Sequence, residues 1–150
     1  MSTKFLFIFI VYLTGIFNFT FAQVEEPRTP QGKLARSAGA YLGSLEYVRV
    51  FKISDCGYAL SKKYPSINEE LNKEVIFSFS PEYQEEIYKA FNPVNSVLAS
   101  QSLEYVNSII ENFKKDTDRN TACGKASALI ATVAGQAKDN WIKNKNLYGK

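Results

Sequence analysis

Three features of this sequence predict an all-α fold, a compact bundle of about five helices. Apolar residues recur at spacings of three and four through most of the chain, the period of a helix with one buried stripe. Serine, asparagine and proline punctuate those runs where helices start and stop. Two faces of small residues lie near opposite ends of the chain, each beside a cysteine, as if the first and last helices were packed together and joined by a Cys56–Cys123 disulfide.

The first helix is expected from about Lys33. Leu34, Ala38, Tyr41, Leu45 and Val48 form its stripe, and Ala35, Gly39 and Gly43 form a small ridge at i, i+4, i+8. Each glycine costs helix propensity, so the ridge reads as a place where another helix approaches closely. The β-branched segment Val48–Ile53 could support a short strand. The continuation of the stripe to Cys56 and Leu60 favours helix. On that helix Arg49 and Lys52 fall in the arc of Leu45 and Cys56, while Tyr47, Phe51 and Tyr58 form a second, aromatic stripe. Lys62-Lys63-Tyr64-Pro65 should end it, since proline cannot continue a helix and lysines suit its negative end.

Ser66 with Glu69 makes a capping box for a second helix bearing Ile67, Leu71 and Val75. Ser80-Pro81 starts a third, with Tyr83, Ile87 and Phe91 on its apolar face. Asn92-Pro93 opens a fourth, whose stripe is Val94, Val97, Leu103, Val106, Ile110 and Phe113, with a kink expected around Ser100–Ser102. After a polar connector, Cys123, Ala126, Ile130, Ala134, Ala137 and Trp141 mark the last helix, ending near Lys145. Its small face suits the glycine ridge of the first.

The N-terminal residues have a different character. Lys4 precedes an almost wholly apolar run from Phe5 to Phe19, and Thr20-Phe21-Ala22 places small residues three and one positions before Gln23. That is the pattern of a cleavable signal peptide over residues 1–22, too short to span a bilayer as an anchor. A flexible leader over 23–32 and one helical domain over 33–150 would follow. Export to the periplasm or the outside would permit a disulfide, and the two cysteines allow a single intramolecular pairing, with intermolecular bridging of a homodimer the alternative. Closing so long a loop restricts the unfolded chain by roughly 4 kcal/mol. The formal charge of the whole chain is +3. Without the signal and its Lys4 it falls to +2, too balanced to predict nucleic-acid binding or, with the signal gone, stable membrane association.

Catalytic chemistry is poorly supplied. Histidine is absent, which removes Ser-His-Asp and Cys-His machinery and histidine zinc sites. No glycine-rich phosphate loop occurs. Asp116, Asp118 and Asn120 imitate the start of an EF-hand, but Thr121 and Ser127 stand where glycine and glutamate are required; a helix cap fits them better. Glu69-Glu70 and Glu85-Glu86 sit in first helical turns, where acids meet the helix dipole. Neither an enzyme nor a cofactor is expected.

What remains is a protein-binding module with another protein as partner. Its candidate contact residues are Tyr47, Arg49, Phe51, Lys52 and Tyr58, the aromatic and basic positions of the first helix. An immunity or inhibitor protein that blocks an envelope-acting toxin or hydrolase is the concrete expectation. It rests on likeness of architecture and on no motif. A helical carrier of an apolar ligand and a structural or assembly factor of the cell envelope are the alternatives.

Overall fold

The computed structural model of the protein describes residues 29–91 and 96–150. The signal peptide and most of the leader expected from the sequence lie outside them, as does the Asn92-Pro93 helix start. The described residues form a helical bundle without strands: α1 (Pro30–Ile53), α2 (Ile67–Glu70), α3 (Pro81–Phe91), α4 (Ser96–Lys114) and α5 (Arg119–Tyr148). A 3-10 turn at Gly57–Ala59 lies between α1 and α2, and α2 runs on through a π turn (Leu71–Val75) and a 3-10 turn (Ile76–Ser78).

Helix α1 is the axis of the molecule. It begins at Pro30, earlier than the small-residue pattern implied, because Thr29 caps it by accepting from the Gly32 N–H at 3.0 Å. Leu34, Ala38, Tyr41, Leu45 and Val48 are all buried, and so are Gly39 and Gly43. Burial extends round nearly the whole circumference, which is why the helix carries two apolar stripes rather than one. Tyr47 and Phe51, on the second stripe, are core residues at 3% and 0% exposure.

α5 is the principal neighbour of α1 and runs antiparallel to it. Near the exit of α1, Val50, Phe51 and Cys56 share a core cluster with Cys123, Ala126, Ile130 and Ala134. Near its entry, Leu34, Ala35 and Tyr41 share a second cluster with Leu71, Val75, Phe79 and Trp141. The alanine-rich stripe of α5 is therefore what lets two long helices lie against each other. Asp118 caps α5, accepting from the N–H groups of Asn120 and Thr121, so the acidic connector has the capping role. The Thr121 hydroxyl, which also donates to Asp118, and then these N–H groups hold its carboxyl below the ordinary aspartate range.

Three details depart from the pattern read along the chain. α1 stops at Ile53 instead of continuing to Leu60. Ser54 turns it off, its hydroxyl donating back to the Phe51 carbonyl and accepting from the Cys56 N–H. The chain then folds back so tightly that a Cβ on Gly57 would stand 2.1 Å from the Lys52 carbonyl oxygen. In α4, from Ala99 onward, the buried positions are Ser102, Val106, Ile109 and Ile110, while Leu103 is turned outward. The expected stripe positions Val94 and Val97 lie outside the described side chains. The helix runs uninterrupted from Ser96 to Lys114, with no break at Ser100–Ser102. On α3, Ile87 and Phe91 are buried and Tyr83 is exposed.

Cys56 and Cys123 form the disulfide, both sulfurs fully buried. Among the described residues no helix is long and apolar enough to cross a membrane.

Two outcomes follow from this packing. Gly57→Ala should cost about 1–3 kcal/mol, the range of overpacking substitutions, because the new methyl meets backbone that cannot swing aside; urea unfolding measures it. Burial holds the Tyr47 phenol up at about 12 and keeps Tyr41 and Tyr105 protonated beyond the usual range. A raised folded value means stability complete below pH 10 and lost as pH rises through the folded values. These three phenols should ionise together with loss of helix between about pH 10 and 12, seen as coincident changes in absorbance at 295 nm and circular dichroism.

Candidate functional site

A groove of about 590 Å³ lies between the second half of α1 and the segment that leads into α2. Leu45, Glu46, Val48, Arg49 and Lys52 supply one wall, Tyr64 to Glu69 the other, and Ala99 of α4 also contributes. Leu45 and Val48 are buried, so the floor is apolar and the rim polar.

The second wall is well held. Ser66 caps α2 by accepting from the Glu69 N–H, and the Glu69 carboxylate turns back to accept from the Ser66 N–H and hydroxyl. Those bonds keep its carboxyl below the ordinary glutamate range. Tyr64 packs against both core clusters and so ties this wall to the whole interior. Its hydroxyl oxygen is buried, and burial raises its phenol.

On the α1 wall, Arg49 is committed to an internal partner. Its Nε donates to Glu46 Oε2 at 2.8 Å and its Nη2 to Oε1 at 2.6 Å. The Glu46 side chain is only 8% exposed against 54% for Arg49, so the guanidinium lies over a nearly buried carboxylate and neutralises it. That hydrogen bonding raises the Arg49 value further. Lys52 differs. Its ammonium stands 6.0 Å from the centre of the Tyr64 ring, and the Lys62 ammonium stands 5.4 Å from the same ring. Among the described residues neither lysine has a carboxylate within ion-pair distance.

The five residues that the sequence singled out thus separate. Arg49 and Lys52 meet at the groove. Tyr47 and Phe51 are excluded from any contact surface by burial, Tyr47 lying against Tyr105 with ring centres 4.6 Å apart. Tyr58 is exposed, but at the disulfide end, where its hydroxyl donates to Asn120 Oδ1 at 2.8 Å. Glu46 and Tyr64 complete the site and were not legible as part of it, while Lys62 stands over the Tyr64 ring without lining the groove. Lys62 and Tyr64 read as a helix ending, and only the i, i+3 spacing of Glu46 to Arg49 hinted at their pairing.

The groove holds no catalytic constellation. Its carboxylates are each occupied, and no group of three or more potential metal ligands occurs among the described residues. What it offers is shape, an apolar floor and a charged rim in which Lys52 has no carboxylate at ion-pair distance among the described residues. No family model, curated protein or solved structure matches this chain.

Removing the Arg49 side chain leaves the Glu46 carboxylate nearly buried without its donor. Arg49→Ala should therefore destabilise the protein by about 1–3 kcal/mol, more than an exposed ion pair would. Replacing both, as Glu46→Leu with Arg49→Ala, should recover part of that loss, since the stranded charge goes as well. Thermal and urea unfolding of the single and double variants check both.

Proposed function

We propose that this protein is an exported protein-binding module. On this reading it works in the periplasm or outside the cell as an immunity or inhibitor protein, occluding the cleft of an envelope-acting toxin or hydrolase. The observation that carries the reading is the groove between α1 and the Tyr64–Glu69 segment, an apolar-floored depression with a charged rim whose walls are held by the Arg49–Glu46 pair and the Ser66–Glu69 capping box. Interfaces favour this composition, an apolar centre within a polar rim, and side chains already held by internal hydrogen bonds lose less entropy on binding. The buried disulfide accords with an oxidising compartment. An apolar-ligand carrier accords less well, because Glu46, Arg49, Lys52 and Glu69 line the groove.

The reading is tested by placing a photo-crosslinking residue at the exposed, groove-lining Asn68 and, as a control, at exposed Lys125 on α5. Crosslinking is done in the native envelope fraction. One protein should couple from position 68 and not from 125, and adding the purified module should lower that protein's hydrolytic or toxic activity. Equal coupling from both positions, an unaffected activity, or release of a small apolar molecule in native mass spectrometry would overturn it.

A further inference from the structure

We propose that the Lys62-Lys63 pair is a processing site, cut by an endopeptidase whose acidic pocket takes a lysine side chain. Cleavage there gives a two-chain protein that the Cys56–Cys123 disulfide still holds together. The inference goes beyond the protein-binding reading and does not depend on what occupies the groove.

An enzyme that reads a peptide as an added strand pairs its own backbone with the N–H and carbonyl groups of that peptide. A helix withholds those groups, so a cut within it must wait for local unfolding. Among the described residues every lysine and arginine other than Lys62, Lys63, Lys115 and Lys150 lies in a helix or in the π turn after α2. Lys115 sits in a closed turn, its ammonium donating to Asn112 Oδ1 at 3.1 Å and Thr117 donating to the Phe113 carbonyl at 2.7 Å. The Lys150 N–H is engaged by the Ser78 carbonyl.

Lys62 and Lys63 differ from all of these. Ser61, Lys62 and Lys63 are exposed, and no N–H or carbonyl from Ser61 to Tyr64 pairs with another backbone group among the described residues. The chain enters this stretch extended at Leu60 (φ −98°, ψ 90°) and leaves it extended at Ser66 (φ −76°, ψ 158°). No carboxylate among the described residues stands at ion-pair distance from either ammonium, and Lys62 only rests over the Tyr64 ring, 5.4 Å from its centre. Nothing there competes with a pocket floored by an acid, the device by which a peptidase selects lysine. Exposed stretches with an unengaged backbone are where proteolytic nicking concentrates.

The cut has a defined consequence. Cys56 precedes the pair and Cys123 follows it, so both pieces remain on one disulfide, and α1 stays packed on α5 through both core clusters. Water adds across the amide, leaving a carboxylate on the lysine before the cut and an ammonium on the residue after it. What is lost is the main-chain link between the α1 wall of the groove and its Tyr64–Glu69 wall. Processing thus loosens one wall and leaves the bundle folded.

The test treats the disulfide-intact protein with a small amount of a lysine-specific endopeptidase under native conditions and reads masses before and after reduction. Within residues 29–150 the first cut should add one water without separating the pieces, which part on reduction with their new ends after Lys62 or Lys63. Lys62→Gln/Lys63→Gln should slow that first cut by about tenfold or more, while Lys125→Gln on α5 leaves its rate unchanged. Circular dichroism should show the helix content retained after cutting, and the protein isolated from its native source should contain the same two-chain form. A first cut elsewhere in residues 29–150, an unchanged rate in Lys62→Gln/Lys63→Gln, loss of helix on cutting, or native protein uncut at this pair would overturn the proposal.

Discussion

The connection between α1 and α2 is fastened to α5 chiefly by the Cys56–Cys123 disulfide, and the candidate site depends on that connection. The bridge spans 67 residues of sequence and lies entirely in the interior. In the chain-entropy account a loop of that length is worth roughly 4 kcal/mol, a large part of the 5–15 kcal/mol typical of a domain. It does not act alone. Ser127 donates its hydroxyl to the Ala59 carbonyl at 2.8 Å, and Tyr58 donates to Asn120. Arg119 approaches Asp55 at 3.6 Å, but both side chains are largely in water, so that pair adds little. The first turns of α5 thus grip the whole turn from Asp55 to Ala59. The chain held in this way places Gly57 against the end of α1, and from there Leu60 enters the core and Tyr64 reaches the groove.

The rest of the bundle is organised by the same antiparallel pairing of α1 with α5. The disulfide marks one end, and at the other Trp141 stacks near Phe79 while Lys33 sits over the Tyr148 ring. The irregular continuation of α2 is tied to this second end. Leu71 and Val75 are buried, Glu74 pairs with Lys145, and the Lys150 N–H donates to the Ser78 carbonyl. Pairing with Lys145 holds the Glu74 carboxyl below the ordinary glutamate range. Tyr64 touches both clusters, so the groove wall it anchors reports on the whole interior.

Much of this architecture was legible because it follows from local period and local chemistry. The stripe from Cys123 to Trp141 faces inward almost residue for residue, and the Ser66–Glu69 capping box forms as written. The cysteine pairing needed only an even count. What was not legible required a neighbour. Extending α1 to Leu60 was reasonable by spacing, since Cys56 and Leu60 are indeed buried. They are delivered by a turn that α5 stabilises and not by helix. In α4, Ser102 takes an inward place and Leu103 an outward one, a choice set by the partner helix and opposite to hydrophobicity. The second stripe of Tyr47, Phe51 and Tyr58 could be read either as core or as a contact face, and only its neighbours decide, burying Tyr47 and Phe51 and leaving Tyr58 exposed. The groove itself arises from tertiary folding, joining Lys52 of α1 to Tyr64 and the segment after it across a turn.

The most direct test is amide hydrogen exchange in the native protein and in Cys56→Ala/Cys123→Ala, read residue by residue under identical conditions. If the disulfide holds the turn and through it the groove, protection should fall most over residues 55–69. The central turns of α1 and α5 around Val50 and Ile130 should lose only what the global drop in stability imposes. Residues 55–69 losing no more protection than those central turns would contradict the account, and the groove would then owe its shape to the cores alone.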